Sequence, residues 1–98
     1  MLLSFSDDLL NWAGEMAPEF LRGRNMIEPQ IYDYDFLSCA IDTITGDFVQ
    51  ASHAEKKSVV CFTVNENIAL KHALSCKVDG IISDRPSWLR REIDQHFD

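Results

Sequence analysis

Three histidines are the side chains best suited to acid and base chemistry, because an imidazole titrates close to neutral pH. His53, His72 and His96 each fall inside a segment with helical spacing. In barrels of parallel strands, chemistry takes place where the strands end and not along the helices. We therefore expect these histidines to be surface or hydrogen-bonded helix residues, and we assign no catalytic residue in this chain.

The cysteines do not form a recognisable site. Cys39, Cys61 and Cys76 are odd in number, and no Cys-x-x-Cys pair occurs. Neither a disulfide framework nor a zinc site is therefore indicated. Cys39 and Cys61 lie in apolar runs, where a free thiol behaves as a small hydrophobic group. This usage fits a reducing compartment, so we expect a cytoplasmic chain that holds no metal of its own.

The charge pattern argues against nucleic acid as a partner. The net charge is −7, and the basic residues are scattered among acidic ones. The densest basic stretch, from Arg85 to Arg91, is followed by Glu92 and Asp94, which is typical of a solvated helix face. The amino end lacks the features of a signal peptide, and no apolar run approaches the roughly 18 residues of a membrane span. We expect no membrane span.

The first third of the chain predicts a strand that leads into a helix. Leu2–Phe5 has the composition of a short strand, and Ser6 is suited to cap a helix that ends near Pro18. The segment from Phe20 to Tyr34 is interrupted by Gly, Asn and Pro, and we interpret it as mostly loop with a possible helical turn. Apolar residues on the helix recur at i, i+3, i+4 and i+7 and predict one buried stripe, made of Leu9, Trp12, Ala13 and Met16.

The central segment predicts a second strand and helix. Phe36–Ile41 is the nearly continuous apolar run that a buried parallel strand needs. Thr45 can cap a helix over 46–55. The residues of that helix expected to face inward are Phe48, Val49 and Ser52.

The last forty residues predict two more strand and helix units. Ser58–Val64 is β-branched or aromatic at most positions and is the strongest strand of the chain. Asn65 is expected to cap the following helix. Val78–Ser83 then predicts a strand, and Pro86 suits the first turn of a final helix. On that helix Leu89, Ile93 and Phe97 align at spacings of four.

Strand spacing indicates the architecture. The strands that start near Phe36, Ser58 and Gly80 are 22 residues apart, the length of one short strand and helix with their loops. Repeated units of this size require a parallel sheet, with helices on one side in a barrel or on both sides in a doubly wound sheet. The periodicity leaves both open, and 98 residues are far fewer than the roughly 250 of a closed eight-stranded barrel.

Two motifs in the last forty residues favour the barrel. Residues 60–67 read Val-Cys-Phe-Thr-Val-Asn-Glu-Asn, and residues 77–86 read Lys-Val-Asp-Gly-Ile-Ile-Ser-Asp-Arg-Pro. In this order and at this separation they resemble the closing segment of the glycerophosphodiester phosphodiesterase family, with Trp-Thr-Val-Asn and then Gly-Val-Asp-Gly-Ile-Ile-Thr-Asp-Arg-Pro. Weaker similarity extends upstream through Ser4-Phe5-Ser6, Ala17-Pro18-Glu19 and 45–53. The resemblance implies an α/β fold, a partial TIM-type barrel of about four parallel strands, each followed by a helix.

The resemblance covers residues 1–98 as the carboxyl-terminal half of the family domain, a fragment of the whole. The intact family is implied to be a phosphoric diester hydrolase of lipid and glycerol metabolism, cleaving glycerophosphodiesters to glycerol 3-phosphate and an alcohol. It is implied to use a divalent metal, Mg²⁺ or Ca²⁺, held by carboxylates, with two histidines as acid and base. The family places its His-Arg-Gly motif on early strands. Here Arg22-Gly23 follows Leu21, so we expect the chain alone to be inactive.

The predicted strand ends would still form part of the substrate mouth. By the resemblance, Phe62, which replaces the usual Trp, and Phe5 are expected to line it. Filling of the barrel interior by both rings is the structural alternative. Asn65 completes the substrate-binding candidates, with a helix cap as its competing role. The polar or aromatic groups at predicted strand ends are Ser4, Phe5, Asp42, Thr43, residues 62–65, Ser83 and Asp84.

Two further interpretations remain open on the sequence alone. One treats the chain as a non-catalytic half-barrel module that pairs with itself or with a missing amino-terminal half, because a cut barrel exposes strand edges. The other is a small doubly wound domain unrelated to the hydrolases. Helices on both sides of an open sheet would indicate the doubly wound domain. Helices on one side would indicate a part of a barrel, as the phosphodiesterase half and the half-barrel module both require.

Overall fold

The sheet contains five parallel strands in the order in which they occur along the chain. The structure, a computed structural model, describes residues 2–19 and 21–97, with side chains as far as residue 95. Each strand pairs in parallel with the next one, and β1 and β5 form the two edges. The strands are β1 (Leu2–Ser4), β2 (Arg22–Met26), β3 (Phe36–Ala40), β4 (Ser58–Phe62) and β5 (Gly80–Ile81).

Four helices follow four of these strands: α1 (Asp7–Met16), α2 (Gly46–Ala54), α3 (Asn67–Cys76) and α4 (Pro86–Phe97). The capping predictions for the first two are confirmed. Ser6 Oγ accepts from the Leu9 amide at 3.1 Å, and Thr45 Oγ1 accepts from the Phe48 amide at 3.1 Å. Each bond satisfies an amide that the first helical turn leaves without a partner. The predicted contributions of His96 and Phe97 to α4 concern side chains outside the described part.

The predicted apolar stripe of α1 is confirmed at Ala13 and is wrong at its other three positions. The residues that α1 buries are Leu10 and Ala13. Leu9, Trp12 and Met16 are instead 42%, 58% and 67% exposed. The reason is that α1 packs mainly against β1 and β2, so that among the described residues none covers the side of the helix beyond the edge strand.

β2 lies where a loop was predicted. The side chains of β2 that point outward, toward the helices, are those of Arg22, Arg24 and Met26. Two of the three are charged, so the strand lacks the apolar pattern of a buried segment. The Arg22 guanidinium donates to the Leu10 carbonyl at 2.9 Å, through a notch at Gly14 whose added Cβ would lie 2.5 Å from Arg22 Nη1. Arg24 Nε pairs with Asp7 at 2.9 Å. Hydrogen bonds to α1 thus replace apolar contacts at two of the three outward positions.

The centre of the fold is the predicted one. Leu37 and Cys39 of β3 and Val59 and Cys61 of β4 are fully buried beneath α2 and α3. On α2, Val49 and Ser52 are buried as predicted, and Phe48 packs at the margin of this core. The remaining buried members include Ile44, Val64, Leu70, Ala73 and Cys76.

All four helices cover the same face of the sheet. The core joins outward residues of β2, β3 and β4 to α2 and α3, and Trp88 and Ile93 of α4 pack against it. The arginines of β2 reach α1 from this same face, since they alternate in register with Met26. On the opposite face, a Cβ at Gly23 would meet Leu3 and Phe36 side chains rather than a helix. The one-sided arrangement is that of a barrel segment and excludes the doubly wound alternative.

The fold class is therefore α/β with a partial barrel, as predicted, but it has five strands and not about four. β2 is the additional strand, and it connects to β3 through a loop without a helix. β5 is shorter than the predicted 78–83, although backbone bonds from Asp79 to Val59 at 2.7 Å and from Ile82 to Cys61 at 2.9 Å extend its pairing. Within the described residues, no helix has both the length and the apolar character needed to cross a membrane.

Candidate functional site

Two phenyl rings meet at the carboxyl ends of the strands. Phe5 follows β1 and Phe62 ends β4, and their ring centroids lie 6.1 Å apart at an interplanar angle of 86°. Neighbouring strands are about 4.8 Å apart, so strands three places apart in a flat sheet would be separated by roughly 14 Å. The edge-to-face contact therefore requires a sheet rolled about its concave face. Rolling brings together the two aromatic residues that the sequence predicts for the mouth.

The rings line a small pocket that opens at this end of the concave face. The other residues that line it are Leu3, Asn25, Thr63 and Ile82. Sequence reasoning missed Leu3, Asn25 and Ile82 as members of the site. Asn25 was missed because its segment was interpreted as loop. Only the alternation of β2, with Gly23 and Asn25 between its outward residues, could have indicated that Asn25 faces the interior.

Below the pocket lies a buried hydroxyl group. Ser38 of β3 is paired in register with Asn25 on one side and Val60 on the other, so all three side chains share the concave face. The Ser38 side chain is fully buried, and its Oγ has no hydrogen-bond partner among the described residues. A buried hydroxyl without a partner costs free energy, so Ser38 does not serve the stability of this chain.

Asn65 links the loops that follow β4 and β5. Its Oδ1 accepts from the Ser83 hydroxyl at 3.1 Å and from the Asp84 amide at 3.0 Å. Its Nδ2 donates to the Asp84 carboxylate at 3.2 Å, and its backbone carbonyl accepts from Arg85 at 2.9 Å. The prediction that Asn65 caps α3 is wrong: the residue at the cap position is Glu66, without a side-chain cap bond. The tertiary bonds across the two loops replace the local one.

The other predicted groups at strand ends also have local partners. Thr43 Oγ1 donates to the carbonyls of Ile27 and Ala40, which joins the loops after β2 and β3. Ser83 Oγ accepts from the Arg85 amide at 3.0 Å, and Ser4 Oγ accepts from the Ser6 amide at 2.9 Å. Asp42 is exposed on a shallow groove shared with Glu66 and His72. The mouth thus combines an aromatic wall with loops held by short polar bonds.

The two histidines with described side chains take no part in the mouth. His53 Nε2 lies 2.8 Å from Asp79 Oδ2, on the side of the sheet where the strands begin. The same carboxylate oxygen accepts from the Val59 amide at 2.7 Å, which fixes the start of β4. His72 Nε2 lies 2.8 Å from the Ile44 carbonyl. These contacts explain both histidines structurally.

The residues present at the mouth do not fit a metal ion. In the described part of the chain, no three His, Cys, Asp or Glu side chains come together in a way that could hold one. The cysteines are free and buried next to one another: Cys39 and Cys61 are register partners in β3 and β4. Burial raises the pKa of Cys39 to about 12 and that of Cys61 to about 11; the Cys61 thiol adds to the first shift and the Cys76 thiol to the second. These thiols therefore stay protonated at neutral pH.

The comparisons with known proteins agree with this geometry. Residues 10–87 match the model of the glycerophosphoryl diester phosphodiesterase family. The solved structure of an Oleispira antarctica phosphodiesterase in complex with the product sn-glycerol-3-phosphate superposes with a TM-score of 0.86 at 23% identity. A glycerophosphodiester phosphodiesterase from Parabacteroides distasonis superposes with a TM-score of 0.84 at 14% identity. No curated protein matches the chain.

Coverage differs between the two sides of these comparisons. The match covers 94% of this chain but 40% of the Oleispira antarctica chain, and 98% of this chain but 43% of the Parabacteroides distasonis chain. The chain thus spans about two fifths of the length of these relatives. At such low identity the superpositions establish the fold, and the family model establishes the relationship. The chain belongs to the glycerophosphoryl diester phosphodiesterase family.

Proposed function

We propose that residues 1–98 form the carboxyl-terminal half of a glycerophosphodiester phosphodiesterase barrel, and that this half supplies the aromatic wall of the substrate mouth. The contact between Phe5 and Phe62 carries the proposal, because it forms a corner of two rings at the carboxyl ends of the strands. The substrate would be a glycerophosphodiester. Asn65 acts in this proposal as a positioning residue, holding the loops of β4 and β5 beside the ring of Phe62.

The chain alone is proposed to be inactive. Phosphodiester cleavage needs a group that stabilises charge on the phosphoryl oxygens and a group that protonates the leaving alkoxide. The divalent metal of the intact family, Mg²⁺ or Ca²⁺, would be held by residues outside this chain. Free cysteines and the absence of a disulfide among them support a reducing, cytoplasmic setting, and the family supports a role in lipid and glycerol metabolism.

The test is an assay for glycerol 3-phosphate release from glycerophosphocholine, with Mg²⁺ or Ca²⁺ added. We expect no release by the pure 98-residue chain above the buffer rate. The assay is then repeated with the amino-terminal part of the Oleispira antarctica phosphodiesterase supplied as a separate polypeptide, where release is expected. Turnover by the pure chain would contradict the proposed inactivity.

A variant of Phe62 tests the mouth itself. In the reconstituted mixture we expect Phe62→Ala to lower kcat/KM roughly 10- to 100-fold, because loss of a phenyl wall costs about 1.5–3 kcal/mol of binding. The matched control is Ile68→Ala on α3, which removes an exposed apolar side chain and should leave kcat/KM unchanged. Equal activity of the two variants would remove Phe62 from the mouth.

The second candidate function is a non-catalytic half-barrel module that pairs with itself or with an amino-terminal half. The exposed face of α1 beside the edge strand favours it, since Trp12 and Met16 are apolar and more than half exposed. This module would assemble without binding a glycerophosphodiester. Release of glycerol 3-phosphate by the reconstituted mixture, sensitive to Phe62→Ala, distinguishes the first candidate from this one.

A further inference from the structure

We propose that Ser38 and Asn25 form a polar step on the concave face of the sheet, and that this step binds a hydroxyl group of an uncharged polyol. The polar step consists of these two side chains. The inference rests on the proposed function, because the step lies beneath the proposed substrate mouth. It adds two binding residues and the chemical class of the group that they take.

The hydroxyl of Ser38 carries the inference. It is fully buried, and its Oγ has no hydrogen-bond partner among the described residues. Burying a hydroxyl without a hydrogen bond costs free energy, so this arrangement is stabilised when another molecule completes the bond. Ser52 is buried to the same degree, but its hydroxyl donates to the Phe48 carbonyl at 2.8 Å. Of these two buried serines, Ser38 is the one whose hydroxyl is available to a ligand.

Asn25 places a second polar group beside this hydroxyl. Asn25 and Ser38 are register partners in β2 and β3, whose backbones lie about 4.8 Å apart, and their side chains share the concave face. Asn25 also lines the pocket between the two rings and is partly exposed. A ligand hydroxyl between the two side chains can accept a hydrogen bond from one and donate to the other.

Access to Ser38 runs through the mouth. Ala40, two residues closer to the carboxyl end of β3, faces the same side, since it is the register partner of Phe62. β3 therefore places a methyl group, and no larger side chain, between Ser38 and the mouth. On the side of β1, the ring of Phe5 is 52% exposed and has room to turn toward solvent. A ligand hydroxyl would enter between this ring and the Ala40 methyl.

The lining of the pocket selects an uncharged group. None of its six residues carries a charge, whereas a phosphoryl group is usually held by arginine, lysine or converging N–H donors. A quaternary ammonium group is held by the faces of several rings. Here Phe5 and Phe62 meet edge to face at 86°, so the edge of one ring covers a face of the other. A hydroxyl group suits the polar step, because an amide and a hydroxyl both donate and accept.

Binding is measured by NMR on the ¹⁵N-labelled 98-residue chain. The probe is glycerol, and choline chloride is the cationic comparison. We expect glycerol to shift the side-chain amide signals of Asn25, identified by their absence from Asn25→Ala. Half-saturation should be on the order of 10 mM, as suits a ligand of this size. The side-chain amide signals of Asn67, which is exposed on α3, should not move, and choline should shift neither residue.

Two serine variants separate binding from stability. Ser38→Ala should weaken glycerol binding at least 5-fold and leave the midpoint of urea unfolding unchanged or higher, because the hydroxyl it removes has no partner. The matched control is Ser52→Ala. It should bind glycerol as the unaltered chain does but unfold at a lower urea concentration, because it loses the bond to the Phe48 carbonyl. A purely structural role of Ser38 would not combine lost binding with undiminished stability.

Three results would overturn the inference. Equal glycerol binding by Ser38→Ala and the unaltered chain would remove Ser38 from the site. The absence of any shift at Asn25 would leave a water molecule only as the partner of Ser38. Equal shifts with choline and glycerol would assign the pocket to a cation held by the rings.

Two further probes show which part of a glycerophosphodiester supplies the hydroxyl. Saturable shifts with sn-glycerol 3-phosphate, lost in Ser38→Ala, would assign the polar step to the glycerol part of the substrate. Shifts with myo-inositol and not with sn-glycerol 3-phosphate would assign it to the alcohol that is released. Both results support a site for a hydroxyl group.

This inference and the proposed function fail separately. Glycerol binding that depends on Ser38, without release of glycerol 3-phosphate by the reconstituted mixture, would keep the polar step and remove the proposed function. Release by the mixture, with no glycerol binding at Asn25 and no loss in Ser38→Ala, would do the reverse.

Discussion

Asn65 uses both ends of its side-chain amide to hold two loops together. Its oxygen accepts from Ser83 and Asp84 groups, and its nitrogen donates to the Asp84 carboxylate. We expect Asn65→Ala to lower the free energy of unfolding by roughly 1–3 kcal/mol, because the partly buried Ser83 hydroxyl and the Asp84 amide, on the loop after β5, lose their partner. Urea unfolding measures the change.

The control for Asn65 is another asparagine close by in sequence. Asn67 begins α3 and is exposed. Asn67→Ala should stay within about 0.5 kcal/mol of the unaltered chain, as surface substitutions usually do. If the two variants were equally stable, the bonds across the loops would contribute nothing measurable.

The buried thiols make stability depend on pH in the alkaline range. Burial raises the pKa of Cys39 to about 12 and that of Cys61 to about 11, from an ordinary value of 9.0. Above the ordinary pKa of 9.0 and below the raised values, the folded chain keeps thiol protons that the unfolded chain releases. The free energy of unfolding is therefore highest below pH 9 and falls as the pH rises. We expect a loss of about 1 kcal/mol for each thiol between pH 8 and pH 10, measured by urea unfolding.

The double variant Cys39→Ala with Cys61→Ala isolates the share of the thiols in that loss. It lowers stability at every pH through the smaller side chains, but it should flatten the decline above pH 9. A decline of unchanged steepness in this variant would assign the pH dependence to other groups.

At the scale of single elements, the sequence predicted what depends on local chemistry. Ser6 and Thr45 were identifiable as caps because a cap needs only its own hydroxyl and an amide three residues on. Asn65 has the same local option, but bonds to Ser83 and Asp84 outcompete it, and those depend on how β4 and β5 are aligned. The aromatic pair could be predicted by resemblance, whereas Asn25 required β2 to be recognised first.

β2 shows why a strand can be missed. Its outward side chains include Arg22 and Arg24, whose partners Leu10 and Asp7 lie on α1 and are not local in sequence. No period of apolar residues signals such a strand. The apolar side of α1 formed by Leu9, Trp12 and Met16 was assigned to the core for the opposite reason: its apolar period is real, but none of the described residues buries it.

A pair of glycine variants tests the close packing of β2. A Cβ at Gly23 would lie 2.3 Å from Leu3 Cδ2 and 3.0 Å from Phe36 Cβ. The Leu3 methyl can rotate away, but the Phe36 Cβ moves only with its backbone. We expect Gly23→Ala to cost roughly 1–3 kcal/mol in thermal or urea unfolding.

Gly46→Ala is the matched control, since a Cβ at Gly46 would meet nothing within 4 Å at the start of α2. Alanine there should be neutral or stabilise by up to about 1 kcal/mol, because it restricts the unfolded chain. A destabilised Gly46→Ala, or a neutral Gly23→Ala, would show that the interior of the sheet is looser than described.

For the molecule as a whole, stability should decrease from the centre of the sheet toward its edges. β3 and β4 are covered by α2 and α3 and paired on both sides, while β1 and β5 are paired on one side. Amide hydrogen exchange should therefore be slowest at 37–39 and 59–61 and faster at 2–4. Uniform exchange rates across all five strands would contradict this order and would indicate a single cooperative unit.

The choice between barrel and doubly wound sheet could not be made from periodicity. Both architectures repeat strands about 22 residues apart, and both bury the same outward positions of β3 and β4. What differs is the other face of the sheet, where Leu3 and Phe36 lie against Gly23, and Val60 lies against Gly80, rather than against a helix. Only the family motifs carried that information in the sequence.

The contact between Gly14 and Arg22 has a consequence for how related sequences vary. The guanidinium reaches the Leu10 carbonyl only because position 14 lacks a side chain. A larger, helix-favouring residue at position 14 would fill the notch, and the Arg22 side chain would then have no room between β2 and α1. Substitutions at these two positions should therefore be coupled through evolution: a glycine should accompany arginine, and larger residues on the helix should accompany a short or apolar residue on the strand.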